Sequence, residues 1–388
     1  MKKIVFVGKD GQYNAIGYML IHIAEAFKCL GYEIEILSYS ILKHNNFRAD
    51  SDFIFSINAH SSVDNFNAII EKINCPWISY FVDSPFYHYD KLNVISSKFI
   101  PVVMDINHLG ITKKFFRQPL AFFMPMGAPE AVNDGQTIAD INSRKIPLVF
   151  FGSMPSLNEC WRQISVIFRN NEDILNWFKA FFNILSRKSE LLYTDLFFDE
   201  MKKLFFEDVI FEKDKEEDLV IHLYICIDKL FRTNNRIKIL NSIKDLPLTV
   251  FGNMNLEDVK ENKFIVRQPI TFNKTLEFMK HSVIAFNISP CMNQAISERI
   301  SYSMSLGNVL VSDKNEFIKN NIEPFGAGYF FEGSELSNLK NKVIEILNSP
   351  GLKKKYSESA YNEFKLKHTW KRRVINLTND LKNSGYDI

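Results

Sequence analysis

Cysteine is scarce in this 388-residue chain, and the few present carry no pattern. Cys29, Cys75, Cys160, Cys226 and Cys291 are scattered, odd in number, and never at C-x-x-C spacing. That argues against a disulfide framework and a zinc knuckle, and points to a reducing, cytoplasmic setting. The eight histidines are equally dispersed, with no H-x-x-x-H or H-E-x-x-H among them, so no metal constellation is visible. An excess of one charge is missing too. A formal net charge of +2 gives no electrostatic case for a nucleic-acid partner. No apolar run reaches the length of a membrane span. The opening MKKIVFVG lacks the long apolar stretch and small-residue cleavage site of a signal peptide, and reads as the first strand of a buried sheet. No G-x-S-x-G elbow or Walker loop occurs. Any chemistry must therefore work through helix ends, basic side chains and lone carboxylates.

What is present is an alternation of strand-like and helix-like segments over a length comfortable for two domains. KIVFVG (3–8), EIEILSY (33–39), DFIFSIN (52–58), PWISYFVD (76–83) and KFIPVVMD (98–105) read as buried parallel strands. Helix-spaced runs stand between the early ones, such as YMLIHIAEAFKCLGYE, which closes at Gly31. Pro125, Gly127, Pro129 and Gly135 crowd the stretch 122–136, which reads as an interdomain linker. A second series follows: IPLVFFGS (146–153), LPLTVFGN (246–253), KFIVRQPI (263–270), VIAFNIS (283–289), NVLV after Gly307, and GYFFEG (328–333). Long helical patterns fill 157–245, and the tail HTWKRRVINLTNDLKN reads as a last amphipathic helix. The fold class is α/β, with two doubly wound halves.

Ligands of such sheets sit beyond the carboxyl ends of strands. Gly8, Gly11, His60, Asp83, Asp105 and His108 are the residues to watch in the first half, and Gly152, Ser153, Pro269, Ile270, Asn287 and the Ser297-Glu298-Arg299 group in the second. Gly8, Gly11 and Gly17 do not have the spacing of a dinucleotide fingerprint, and strand two ends without the acidic residue that holds a ribose. A nicotinamide or flavin cofactor is therefore not expected; Gly8 and Gly11 instead allow a backbone to approach a substrate. In NQAISERISYSMSLGNVLVSD (293–313), Ser297 fits an N-cap, and Arg299 adds a forked cation suited to phosphate. Two readings stand: a metal-free diphosphate site, or a capped surface helix with an adjacent charge pair. Gly307 fits the left-handed residue that ends the helix.

Several blocks together resemble the GT-B glycosyltransferases, in particular their CgeB-like, spore-maturation-type group. They are PWISYFVDSPFYHYD, FIPVVMDINHLGITKKFF with FMPMGAPE, IPLVFFGS, LPLTVFGN, HSVIAFNISP, SERISYSMSLGNVLVSD and HTWKRR, the last with His368 and Arg372 in a His-x-x-x-Arg pattern. The likeness spans most of the chain and rests on the order of the blocks. It implies two Rossmann-like domains facing a cleft: an acceptor domain over 1–128, and a nucleotide-sugar domain over 145–368 with a helical insert at about 157–245. The final helix, 369–388, would pack back on the first domain. No cofactor and no bound metal are implied; the nucleotide sugar is a co-substrate.

Carried over, the resemblance places Gly152 and Ser153 at the donor diphosphate, Pro269 and Ile270 at the base, and Ser297 and Arg299 facing the diphosphate. Many relatives hold the ribose with an acidic residue five positions before the glycine; Tyr302 stands there, with Glu298 four residues earlier. Asp83 is the first choice for a base if the sugar is inverted, followed by Asp105, His108 and His60. The expected activity is transfer of a sugar to a glycan or protein acceptor, in the cytoplasm, with peripheral association to a membrane or a glycan-assembly complex. A sugar-nucleotide epimerase and a non-catalytic nucleotide-sugar-binding protein are the alternatives.

Overall fold

The structure, a computed structural model, describes residues 1–8, 14–38, 51–59, 66–130, 140–187, 213–290 and 292–386. Gly11, His60 and Cys291 lie outside the described residues, as do 131–139 of the expected linker and 188–212 of the expected insert. The described strands form two parallel sheets of six. The first holds β1 (Lys3–Gly8), β2 (Glu33–Ser38), β3 (Phe53–Ile57), β4 (Trp77–Phe81), β5 (Phe99–Val103) and β6 (Phe122–Phe123), ordered β2-β1-β3-β4-β5-β6. The second holds β7 (Ile146–Phe151), β8 (Thr249–Phe251), β9 (Ile265–Arg267), β10 (Ser282–Asn287), β11 (Val309–Asp313) and β12 (Gly328–Phe331), ordered β12-β11-β10-β7-β8-β9.

Burial explains the strand sequences. Every residue of β3, β4 and β5 is buried, as a parallel strand covered on both faces requires, and the two polar side chains among them, Ser56 and Ser79, are bonded to each other. The edge strand β2, EIEILS, buries none of its residues fully and can carry two glutamates. In both sheets the strand order reverses beside the first strand, at β1/β3 and at β7/β10. Those switch points open the crevices into which strand ends deliver side chains.

Two segments differ from the sequence expectation. Phe122–Phe123 pair with Val102–Val103 as the last rung of the first sheet, so the linker starts after them; Pro125 follows, where a ladder can no longer take a donor. The helices of the 157–245 stretch, Leu157–Ile167, Glu172–Arg187 and Lys213–Ser242, belong to the second domain by sequence but pack largely on the first. Cys160, Ile164, Phe178, Tyr224, Ile227 and Leu230 share one buried cluster with Phe86, Leu92 and Ile111 of the first domain. The Phe86 and Tyr224 rings lie 4.2 Å apart. Further along the same long helix, Ile237 and Leu240 enter the core of the second domain beside Leu248 and Val250. One helix thus bridges both cores, and its middle turns lie at the domain junction.

The final helix, Trp370–Asn383, returns to the first domain, where Val374, Leu377 and Leu381 join the cluster around Ile23 and Phe27. Its start is fixed by Trp370 N donating to Ala128 O (3.0 Å) and by the Thr369 side chain capping Arg372 N. His368 pairs through Nδ1 with Arg373 Nη2 at 2.7 Å; Arg372 is exposed. Helix Glu298–Ser305 closes as its sequence suggests. Gly307 is left-handed (φ 62), its N–H reaches Met304 O, and Asn308 N–H reaches Ser303 O, a Schellman ending. No described helix is long and apolar enough to cross a membrane.

Candidate active site

A cleft of about 350 Å³ lies between the domains. Helix Ala15–Cys29 lines it with Ala15, Ile16 and Met19, and the end of β4 supplies Val82 and Asp83. The second domain contributes Gly152-Ser153 after β7, Phe251-Gly252 at the end of β8, Pro269-Ile270 after β9, and Glu298-Arg299 at the head of their helix. Residues far apart in sequence meet here because every one follows a strand or opens a helix at the same end of its sheet.

Glycine is required where the loops after β7 and β8 touch. A Cβ on Gly252 would sit 2.0 Å from the carbonyl oxygen of Gly152, a backbone atom that cannot step aside. The loops are tied by Gly152 N to Phe251 O (3.1 Å) and Asn253 N to Ser153 Oγ (3.1 Å). Arg236, from the long bridging helix, donates to Ser153 O.

Arg299 is held from three sides. Its Nη1 donates to Phe151 O (2.7 Å), its Nη2 approaches Ile288 O (3.4 Å), and the guanidinium lies 5.8 Å from the Phe150 ring centroid. Its charge is fixed at the rim of the cleft by the backbone that forms it. Glu298 Oε1 lies 3.9 Å from Arg299 Nε.

Asp83 faces these groups from the first domain, its side chain 55% exposed. Asn58, in a left-handed conformation at the end of β3, donates Nδ2 to Asp83 Oδ2 at 3.2 Å while its Oδ1 accepts from Val82 N. His88 Nε2 lies 3.7 Å from the same oxygen. Burial pushes the carboxyl pKa up, but His88, Arg232 and Asn58 outweigh it and hold it below the ordinary carboxylate value. Asp83 is therefore an oriented, ionised carboxylate open to a ligand.

Several expected residues lie elsewhere. Asp105 is 1% exposed and caps helix Ile106–Lys114 through Asn107 N and His108 N; its other oxygen accepts from Gln294 N of the second domain at 2.8 Å. It rivets the domains together and does not line the cleft. Asn287 and Ser297 are buried against each other, Ser297 Oγ donating to Asn287 Oδ1 at 3.1 Å. Ser297 occupies the N-cap position, yet its hydroxyl serves this contact and not the helix N–H groups. Tyr302 is 1% exposed and packs on Phe272 and Tyr18, turned from the cleft into the core beside Trp370. An aromatic side chain on that helix face gains most by completing the apolar layer under the last helix. Gly8 ends β1 against Leu20, outside the cleft lining.

A second, smaller chamber of about 160 Å³ opens beside the cleft, sharing Val82, Asp83, Glu298 and Arg299 with it. His108 lines this chamber, with Ser84 and Tyr87 from the first domain and Asp228, Arg232 and Arg236 from the bridging helix. Tyr87 Oη donates to Asp228 Oδ2 (2.6 Å), and Arg232 Nη2 reaches Tyr87 Oη (2.8 Å) and Asp228. Burial pushes the His108 imidazole pKa down, against the pull of Asp105, Asp228 and Asp83. Sequence pattern alone does not single out Asp228, Arg232 and Arg236. Their spacing of four puts them on one helix face, a signal present in the chain, but nothing in the sequence said which way that face points. Among the described residues no group of three or more His, Cys, Asp or Glu side chains is placed to hold a metal ion.

Two Rossmann-like parallel-sheet domains facing a cleft constitute the GT-B architecture of glycosyltransferases, and the chain has that fold. Residues 232–379 match the glycosyl transferase-like family model. No curated protein sequence matches the chain. Solved structures similar to it include an alpha-glucosyltransferase in complex with UDP-glucose and DNA containing an abasic site (9% identity, TM-score 0.61, covering 98% of this chain and 99% of that one). Sucrose-phosphate synthase from Thermosynechococcus elongatus is similar at 8% identity and TM-score 0.55, with 99% of each chain covered. HepE from Anabaena, in complex with UDP and glucose, is similar at 11% identity and TM-score 0.55, covering 99% of this chain and 100% of that one.

Proposed function

We propose that the chain is a glycosyltransferase, of the CgeB-like group within the GT-B class, that moves a hexosyl unit from a nucleotide sugar to a glycan or protein acceptor. The observation that carries this reading is the meeting in one cleft of Arg299 and the Gly152-Ser153 backbone on one domain with the ionised Asp83 on the other. Pro269 and Ile270 would receive the base. Gly152, Ser153 and Arg299 would receive the diphosphate, with Arg299 meeting its charge without a metal ion. If the sugar is inverted, the acceptor hydroxyl oxygen attacks the anomeric carbon, Asp83 takes its proton, and the nucleoside diphosphate leaves with the bonding electron pair. If configuration is retained, the donor phosphate itself can take that proton. The neighbours that hold UDP or UDP-glucose favour transfer over the epimerase reading. Because Tyr302 is buried, the ribose would be held by something other than the carboxylate usual at that position. We place the enzyme in the cytoplasm, working at the periphery of a membrane or glycan-assembly complex.

The test is a thermal-shift screen against UDP-, GDP-, CMP- and dTDP-sugars, followed by nucleotide release from the one that binds. Stabilisation by one nucleotide series with slow hydrolysis of its sugar supports the reading. Interconversion of two sugars on the nucleotide would mean an epimerase, and no response to any series would remove the enzyme reading.

A further inference from the structure

We infer that the 160 Å³ chamber beside the cleft is a subsite for one sugar ring, walled by the first domain, the bridging helix and the second domain. This rests on the glycosyltransferase reading and adds to it the residues that would hold the carbohydrate.

Size comes first. The chamber has room for on the order of five waters' worth of liquid, the scale of a single pyranose and too small for a nucleotide. Arg232, Arg236 and Arg299 face Asp83, Asp228 and Glu298, so cations and carboxylates are equal in number. A phosphate subsite would carry surplus cations aimed at one anion. An apolar ligand would find too little apolar wall. A polyol presents hydroxyls that both donate and accept, and this lining offers both.

Ser84 Oγ and both ring nitrogens of His108 are buried, at 7% and 1% residue exposure, and find no hydrogen-bond partner among the described residues. Buried polar atoms without partners are uncommon because each forfeits its hydration. Both side chains line the chamber, so a small rotation toward a ligand hydroxyl there would give each a partner. Asp83 borders the chamber and the cleft alike, which puts the ring next to the carboxylate proposed to take a proton.

The ring could be the hexosyl unit of the donor or a sugar of the acceptor, and the experiment separates them. Wild type, Ser84→Ala and His108→Phe are titrated with matched pairs of nucleotide and nucleotide sugar: UDP with UDP-glucose, GDP with GDP-mannose, dTDP with dTDP-glucose. The nucleotide-loaded proteins are then probed with free glucose, galactose and N-acetylglucosamine by saturation-transfer NMR. Ser84→Ala removes a hydroxyl that bonds nothing among the described residues, so its melting temperature should hold or rise. The expected result is nucleotide affinity unchanged within about twofold and sugar affinity weakened about 5- to 10-fold, the worth of one neutral hydrogen bond. Loss confined to the nucleotide sugar assigns the ring to the donor, and loss confined to the free sugar assigns it to the acceptor. Binding of every sugar ligand as in wild type overturns the subsite, as does a loss that falls equally on the free nucleotide. So does a wild type that binds a nucleotide but no sugar in either form. Failure of wild type to bind any nucleotide counts instead against the glycosyltransferase reading.

Discussion

Tyr87, just after the fourth strand of the first domain, donates its hydroxyl to Asp228 on the long helix of the second-domain insert at 2.6 Å, and Arg232 closes on both. This clasp fastens the bridging helix where the cleft and the small chamber meet. Removing one partner of a charge-assisted pair that is only 4% exposed at Asp228 leaves the carboxylate short of a donor. Tyr87→Phe should cost about 1–3 kcal/mol of stability. Hydrogen exchange of residues 219–236 should accelerate in the variant; unchanged protection there would mean the helix is held by its apolar contacts alone.

Asp83→Asn keeps the shape and the Asn58 contact but removes the negative charge. For an inverting enzyme, transfer should fall by 10²-fold or more while donor affinity changes little, since a general base contributes about 10²–10⁴-fold. Steady-state rates alongside calorimetric donor binding decide it. Full turnover in the variant would exclude Asp83 as the base.

Arg299→Ala should damage two things at once. The guanidinium supports the carbonyls of Phe151 and Ile288 as well as facing the cleft. Nucleotide affinity should fall about 10- to 100-fold, the worth of a charge-assisted contact, and stability by about 1–3 kcal/mol. The melting temperature is the informative half. Had the residue only faced a ligand, as its sequence position suggests, stability would stay constant.

Tyr302→Glu would supply the acidic residue that the family resemblance implies at that place, yet it should not create a ribose contact. The side chain is 1% exposed and packed among Phe272, Tyr18 and Trp370. Burying an unpaired carboxylate there should cost several kcal/mol or leave the protein unfolded. A variant that folds normally and binds nucleotide more tightly would show that this helix turn can rotate into the cleft.

Stability should also depend on pH near neutrality. Burial lowers the pKa of His108 and of His368 in the fold, so the native state holds both neutral. The unfolded chain binds these protons at about pH 6.5. Stability from them is complete above that pH and is lost as pH falls toward the folded values. Melting temperature should therefore decline from about pH 6.5 downward, and less steeply in His108→Phe. Equal slopes in the two proteins would count against a neutral His108.

Much of the architecture was legible along the chain. Short runs that are apolar but for one residue, such as FIFSI, WISYF and FIPVV, fit central parallel strands, and Gly307 after a run of small residues fits the close of a helix. The residues that follow each strand were legible too, because a doubly wound sheet sends its strand ends to one side. Local patterning carries that information, and the sequence by itself determined it. Orientation it left open. Asp105 and Asp83 both follow strands and both precede helical turns, but one is sealed into a cap shared by two domains and the other stands open with Asn58 and His88 around it. Tyr302 and Glu298 lie four residues apart on one helix, yet one completes the core and the other faces the cleft. The insert gives no sign in sequence that its middle turns reach Tyr87. Those outcomes depend on which surfaces become neighbours when two cores and a bridging helix pack together, and only the tertiary structure decided them.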